Sequence, residues 1–196
     1  MIGSLLLGVA LAVALFASVA GTIGGIRRDR RALEVARRAM FALAALLAAA
    51  FALAELAFVR SDFSLELVAR NSSLDTPTFY KFTAIWSSQA GSLLLWVTML
   101  TVYAALALRA VRGRLLAVTP YAIGVLGALA AFFLALLVFV ENPFALVADP
   151  PADGLGLNPL LRNEMMALHP PLLYAGYVGF SIPFAFAIGA LIVRDT

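Results

Sequence analysis

The uncharged stretch LLAVTPYAIGVLGALAAFFLALLVFV, residues 115–140, decides the fold of this chain. A helix needs about 20 mostly apolar residues to cross the hydrocarbon core of a bilayer, and this stretch is long enough. Apolar side chains occupy every helical face of it, so no polar face could turn toward water. The stretch therefore predicts a membrane-spanning helix.

Composition extends this prediction to the whole chain of 196 residues. Hydrophobic residues make up 63% and charged residues 13%, and the mean hydropathy is +0.99. Soluble domains carry about 25% charged residues. We predict an all-α, polytopic membrane helix bundle of about five transmembrane helices that forms a single membrane domain over residues 1–196. The predicted spans are residues 2–26, 39–59, 92–108, 115–140 and 171–193.

The basic residues predict the orientation of the bundle. Ten of them fall on one side of the predicted spans: Arg27, Arg28, Arg30, Arg31, Arg37, Arg38, Arg109, Arg112, Arg114 and Arg194. The other side has four, which are Arg60, Arg70, Lys81 and Arg162. The positive-inside rule places the ten in the cytoplasm and the N-terminus outside. We therefore expect a multi-pass membrane protein with its functional loops on the outer side, and no nucleic-acid partner.

The loops on the two sides differ in length. The predicted outer loops, residues 60–91 and 141–170, run to about 30 residues and mix acids, aromatics, prolines and glycines. Long loops in a compact protein are usually functional, so we expect the chemistry at the outer side. Within the second loop, Gly154-Leu155-Gly156 is not a phosphate loop, since no strand precedes it and no lysine follows.

The scarcity of metal-binding side chains limits the possible chemistry. The chain has no cysteine and a single histidine. Disulfides, thiolate metal sites and cysteine nucleophiles are therefore excluded. A metal site with two histidines cannot form within these residues, so His169 is the one candidate ligand.

His169 precedes a Pro-Pro pair. Proline suits the first turn of a helix, so Pro170 and Pro171 predict the start of the fifth span, with His169 just ahead of it at the outer interface. A neutral imidazole binds iron or zinc, but a histidine at a helix start can equally serve as a local cap. Both interpretations stay open from the residues alone.

Other polar and aromatic residues have alternative roles. Glu55 lies about one turn from the outer end of the second span and either acts as a functional carboxylate, pairs with an arginine, or reaches the headgroup region. Trp86 and Trp96 flank the start of the third span and suit either the aromatic belt or stacking on a flat ligand. Pro183 should kink the fifth span.

Several motifs resemble the bacterial haem lyase CcmF/NrfE family of the cytochrome c maturation machinery. The resemblance is collinear over essentially the whole chain. The motifs are Asp62-Phe63-Ser64, Asn71-Ser72, Tyr80-Lys81, Trp86, Gly91-Ser92-Leu93-Leu94-Leu95-Trp96, Asn142-Pro143-Phe144, Gly154 to Leu161, His169-Pro170-Pro171, Leu173 to Phe180, and Pro183 to Ala187.

The resemblance implies a specific role. Members of the family attach haem, at the outer membrane face, to the thiols of an apocytochrome c. His169 matches an axial ligand of the haem iron, and Trp86 and Trp96 become candidate haem-side aromatics. The implied cofactor is a transient b-type haem. The implied partners are a haem-carrying chaperone, a thiol-handling maturation subunit, apocytochrome c and membrane lipid.

The chain also departs from the family. The family's tryptophan-rich segment, its second outer histidine and the pair of membrane histidines that bind a further haem are expected beyond residue 196. We therefore expect an N-terminal portion of a longer protein that alone does not complete the reaction. Gln89-Ala90 stands where many members have a glutamate before Gly91. The alternatives are a haem or ion transporter of the membrane and a non-catalytic scaffold subunit.

Overall fold

The computed structural model describes residues 2–194, which fold into helices joined by turns and two longer loops. One isolated antiparallel bridge, Leu65 to Leu146, is the only β pairing among the described residues. Two short 3-10 turns, Ala84–Ser87 and Pro159–Leu161, lie within the loops. The α-helices of the described part are α1 (Ile2–Arg27), α2 (Arg30–Arg60), α3 (Glu66–Asn71), α4 (Thr78–Thr83), α5 (Gln89–Ala110), α6 (Thr119–Phe139), α7 (Glu164–Gly179) and α8 (Ser181–Val193).

Five helical segments are long and apolar enough to cross a membrane: α1, α2, α5, α6 and the pair α7–α8. The predicted all-α bundle of about five transmembrane helices is thus confirmed. Successive segments alternate in direction. One end of the bundle, which we call the loop side, carries residues 61–88 and 140–163. The opposite end, the arginine side, carries the turn after α1, the turn before α6 and the end of α8.

The second helix begins earlier than its hydropathy predicted. We expected Arg37 and Arg38 in a loop ahead of a span at residue 39, and this is wrong, because α2 starts at Arg30. The Asp29 carboxylate accepts a hydrogen bond from the Arg31 backbone N–H (2.8 Å) and caps the helix. A cap depends on local hydrogen bonding, whereas hydropathy reports only the apolar part of the helix.

Arg37 joins α2 to α5 near the arginine side. Its side chain is buried, and Nη2 donates a hydrogen bond to the Leu108 carbonyl at 2.6 Å, while Nη1 lies 3.2 Å from the Glu34 carboxylate. Leu108 belongs to the last turns of α5, whose carbonyls have no partner within their own helix. The guanidinium satisfies one of them and fixes how the two helices align. Helix α5 is also longer than its predicted span by a few residues at each end.

Small residues bring α1 and α6 into close contact. A β-carbon on Gly21 would lie 2.8 Å from the Pro120 carbonyl oxygen, and one on Gly127 would lie 2.8 Å from the Ser18 backbone nitrogen. Ser18 Oγ donates to the Gly124 carbonyl at 2.8 Å. Membrane helices associate through such small residues because their backbones can approach closely.

The fifth segment is divided rather than continuous. Helix α7 ends at Gly179 and α8 begins at Ser181, with Phe180 between them. Pro183 has no N–H to donate to the Gly179 carbonyl four residues earlier, and its ring crowds that carbonyl. The interruption therefore falls one turn before the proline that we expected to kink the helix. This segment is also the least buried of the five.

Candidate functional site

The two long loops on the loop side pair with each other through their backbones. The Glu66 N–H donates to the Ala145 carbonyl and the Val147 N–H to the Ser64 carbonyl, both at 2.9 Å. Further along, the Leu155 N–H donates to the Ala69 carbonyl at 2.8 Å. We call residues 61–88 and 140–163 together the loop layer, since these bonds make one connected structure of them.

Gly154-Leu155-Gly156 closes this layer. Gly156 has a φ of 83°, a conformation that favours glycine, and its N–H donates to the Ser72 carbonyl at 3.0 Å. A β-carbon on Gly154 would overlap that same carbonyl oxygen. The Asp153 carboxylate accepts from the Leu74 N–H (2.8 Å) and the Gly154 N–H (2.7 Å). The motif thus allows two backbones to approach closely, a role that its sequence left open.

The loop layer is also attached to the start of α1. The ring of Phe144 lies against Gly3 so closely that a β-carbon there would overlap it. Asn142 accepts from the Phe144 N–H (2.9 Å) through Oδ1 and donates to Ser4 Oγ (3.2 Å) through Nδ2. The beginning of the first span therefore helps to position the second loop.

His169 lies within α7 rather than ahead of it. We expected the fifth span to begin at Pro171, and this is wrong, because Asn163 caps α7 by accepting a hydrogen bond from the Met165 N–H at 2.9 Å. The helix therefore starts at Glu164 and runs through both prolines. An Asn-Glu pair ahead of an apolar run was the available sequence signal. Since Asn163 provides the cap, His169 is not needed for that role.

The surroundings of His169 are apolar. Its side chain is exposed, and no hydrogen bond holds the imidazole among residues 2–194. Leu172 and Leu173, which follow by about one turn, are also exposed, at 68% and 56%. Residues three and four apart share a helix face. The imidazole is thus free to bind a ligand beside an apolar surface.

The two tryptophans lie in different environments. Trp96 is 8% exposed and stacks on Phe133 of α6, with ring centroids 3.9 Å apart. It also lies near Tyr177 of α7, with ring centroids 6.5 Å apart. Tyr177 follows His169 by eight residues, or about 12 Å of helix rise. Trp96 therefore fixes α7 against the bundle. The half-buried Trp86 lies edge-on to Phe82 in the loop layer. The structure shows no ring contact between either tryptophan and His169 among the described residues.

Glu55 is enclosed by protein. It is 7% exposed, and neither carboxylate oxygen has a hydrogen-bond partner within residues 2–194. The interpretation that it reaches the headgroup region is therefore wrong. The reason is that its side chain lies on the buried face of α2, together with Ala54 and Phe58. No arginine of the described part pairs with it.

Glu55 has no hydrogen-bond partner among residues 2–194, and this leads to a testable prediction. We expect Glu55→Gln to change the free energy of unfolding by less than about 1 kcal/mol, because the variant breaks no hydrogen bond. Arg37→Gln is the contrast, and should cost about 2 kcal/mol since it removes a charged donor from a buried carbonyl. Denaturant unfolding of both variants in detergent measures the difference. Equal losses would mean that Glu55 has a bonded partner.

Metal chemistry from protein ligands alone is not supported. Within residues 2–194 no group of three or more histidine, cysteine, aspartate or glutamate side chains could hold a metal ion. His169 can therefore supply one ligand to a metal whose other ligands come from elsewhere, as in a porphyrin.

Comparisons with known proteins identify the family. The family described as "Cytochrome C assembly protein" matches residues 86–196. The cytochrome c-type biogenesis protein CcmF of Pseudomonas aeruginosa is 42% identical over 195 residues, which are 97% of this chain and 29% of that protein. The CcmF of Escherichia coli is 39% identical over 193 residues, which are 97% of this chain and 30% of that protein.

More distant relatives agree. The cytochrome c-type biogenesis protein NrfE of Haemophilus influenzae is 32% identical over 195 residues, which are 100% of this chain and 31% of that protein. A solved structure entitled "Cytochrome c Heme Lyase CcmF" superposes with a TM-score of 0.86 and 31% identity, over 98% of this chain and 30% of that one. The chain thus spans less than a third of the length of these relatives. With the match covering more than half of its residues, this chain belongs to the cytochrome c assembly protein family, among the relatives of CcmF and NrfE.

Proposed function

We propose that this chain holds haem in a cytochrome c haem lyase, and that His169 binds the haem iron for attachment to apocytochrome c thiols. The observation that carries the proposal is the exposed imidazole of the one histidine in the chain, on the helix that follows the loop layer. Membership of a family that assembles cytochrome c supports it.

The residues around His169 fit a haem. A porphyrin needs an axial nitrogen and apolar surface against its ring. The imidazole supplies the nitrogen, and the exposed Leu172 and Leu173, about one turn further along the same helix face, supply apolar surface. Haem is the substrate here, and it supplies the vinyl groups that the cytochrome thiols attack.

The protein's own contribution is to hold His169 in position and to shield a bound haem from water. Asn163 fixes the start of α7, and Trp96 packs against Tyr177 further along it, so the helix that carries His169 has a set position. The aliphatic side chains around the imidazole exclude water from the ring of a bound haem. The chain has no cysteine of its own that could compete for the vinyl groups.

The orientation and partners belong to the same proposal. Because the arginine side carries most of the basic residues, we place it in the cytoplasm and the loop layer outside the inner membrane. There a haem-carrying chaperone would deliver the substrate, and a thiol-handling subunit would present apocytochrome c. Other ligands to the haem iron would come from outside these 196 residues, since His169 is the one histidine among them.

The test replaces His169 in the chain as it is naturally expressed, in a host without its own haem lyase. We expect His169→Gly to lose the haem absorption band of the purified protein and most of the cytochrome c yield. Added imidazole should restore part of both, since it refills the ligand position. The protein should still fold, because the side chain is exposed and a glycine within a helix costs only about 1 kcal/mol.

Leu168→Ala is the matched control, since it alters an exposed neighbour on the same helix. It should keep the absorption band. Wild-type cytochrome c yield from His169→Gly, with no response to imidazole, would contradict the ligand role. That result would favour a scaffold, or a transporter that does not coordinate haem through His169.

A further inference from the structure

A cleft on the arginine side is unconnected with the chemistry proposed for the loop side. It has a volume of about 610 Å³ and lies where the α1–α2 turn, the start of α6 and the end of α8 meet. Arg28 and Arg30 line one part of it, and the side chains of Leu116, Pro120 and Ile192 line another. The cleft thus combines guanidinium groups with an aliphatic wall.

Arg28 occupies a backbone position that favours glycine. The Arg28 N–H donates to the Gly25 carbonyl (3.2 Å) and the Asp29 N–H to the Gly24 carbonyl (2.9 Å), the hydrogen-bond pattern of a Schellman motif. The residue in the left-handed conformation of that motif is usually glycine, but here it is Arg28, with a φ of 54°. A side chain in this conformation carries a steric cost. Because Arg28 carries this steric cost and also lines a cleft, we expect its side chain to have a function there.

Charge in the cleft favours an anion. Asp29 is the one acid in the lining, and its carboxylate already accepts the hydrogen bond from the Arg31 N–H at 2.8 Å. The salt bridges within residues 2–194 join Arg37 to Glu34 and Arg70 to Glu66, and involve neither Arg28 nor Arg30. Both guanidinium groups are exposed, so an anion can reach them.

A second cavity extends the positive charge. It has a volume of about 250 Å³, shares Arg30 and Leu116 with the cleft, and adds Arg112; Arg37 also lines it, but its charge is paired with that of Glu34. The positive end of the α2 dipole, at Arg30, points to the same place. The phosphate group matches these features, because guanidinium binds it through paired hydrogen bonds.

The aliphatic wall of the cleft favours a phospholipid over a free phosphate ion. A free phosphate ion gains nothing from Leu116, Pro120 and Ile192, whereas a phospholipid places an acyl chain directly below its phosphate. The cleft lies at the ends of four membrane-spanning segments, which is the depth of the headgroups. Basic pockets between such helices bind anionic headgroups.

We propose that this cleft binds an anionic phospholipid, with its phosphate on Arg28 and Arg30 and an acyl chain along Leu116, Pro120 and Ile192. The lipid fills the space between α1, α6 and α8 at the arginine side. It thereby stabilises the position of α8, which belongs to the least buried of the five segments.

The test is a lipid titration of the naturally expressed chain, purified in neutral detergent, followed by native mass spectrometry. The probes are phosphatidylglycerol, phosphatidylcholine and inorganic phosphate. We expect phosphatidylglycerol to be retained in preference to phosphatidylcholine. Arg28→Gly should weaken its binding about fivefold, and the double variant Arg28→Gly/Arg30→Gln further, since each arginine contributes a similar electrostatic attraction.

An unfolding measurement and a control variant distinguish loss of this site from misfolding and from a general loss of surface charge. Arg28→Gly should unfold at the wild-type temperature or higher, because glycine adopts the left-handed conformation without strain, so lost binding would not reflect misfolding. Arg114→Gln is the matched control, since it removes one charge from the same side outside the cleft. Equal loss in the control would overturn the site in favour of general surface charge. Equal retention of inorganic phosphate and lipid would overturn the lipid assignment.

Discussion

Gly91→Ala should prevent most of the protein from folding, with a loss of at least about 3 kcal/mol in the free energy of unfolding. Gly91 lies in the first turn of α5, where a β-carbon would overlap the carbonyl oxygen of Ile85. Ile85 is completely buried, so its backbone has little room to move aside. The substitution must therefore displace the 3-10 turn Ala84–Ser87 from the start of the helix.

The local hydrogen bonds increase this effect. Ser88 Oγ accepts from the Gly91 N–H at 3.2 Å and caps α5, while Ser92 Oγ donates to the Trp86 carbonyl at 2.9 Å. Displacement of the turn breaks both contacts. The loss should appear as reduced yield of monodisperse protein in detergent and as unfolding at lower denaturant concentration.

Gly8→Ala is the control for Gly91→Ala. Gly8 also lies in a membrane-spanning helix, but a β-carbon there would have no neighbour within 4 Å. Alanine is the better helix former, so this variant should unfold at the wild-type denaturant concentration or higher. If Gly91→Ala behaves like Gly8→Ala, the close approach of the turn to α5 is not rigid.

Gly154→Ala should separate the two loops of the loop layer around residues 154–156 while the five membrane segments stay folded. The β-carbon would overlap the Ser72 carbonyl oxygen and lie 2.8 Å from that of Ala69. These two carbonyls accept two of the hydrogen bonds that join the loops, from Gly156 and Leu155. Loss of both bonds, with their buried groups left unpaired, should cost about 2–4 kcal/mol.

Hydrogen exchange measures this detachment directly. The amides of residues 155 and 156 should exchange much faster in Gly154→Ala, whereas the amides of α1 and α6 should not change. Leu155→Ala is the control, because Leu155 is 85% exposed and its backbone bond does not depend on the side chain. Unchanged exchange at residues 155 and 156 in Gly154→Ala would show that the loops adjust to the extra carbon.

Hydropathy predicted the number and order of the membrane segments because each of them needs a long apolar run. It failed at helix ends, because a single capping residue decides where a helix begins. Asp29 starts α2 ahead of the expected span, and Asn163 starts α7 ahead of the two prolines. His169 stands out in the sequence as the one histidine, but whether it lies before or within a helix depended on that cap.

The contacts between the loops could not be predicted from local sequence. Leu74 and Asp153 are 79 positions apart, and the bond between them forms only when four spans have brought both loops to the same side. The burial of Glu55 was equally hidden, because a lone acid near the end of an apolar run gives no sign of whether lipid, water or protein surrounds it.

The pairing of the loops also sets an order of events during synthesis. Gly156 follows Ala69 by 87 residues. At about 5–20 residues per second, the ribosome needs roughly 4–17 s to make them. Throughout that interval the carbonyls of Ala69 and Ser72 must stay hydrated, while α5 and α6 enter the bilayer. The loop layer can therefore close only after insertion of the fourth span, and a pause in translation before residue 156 would prolong its open state.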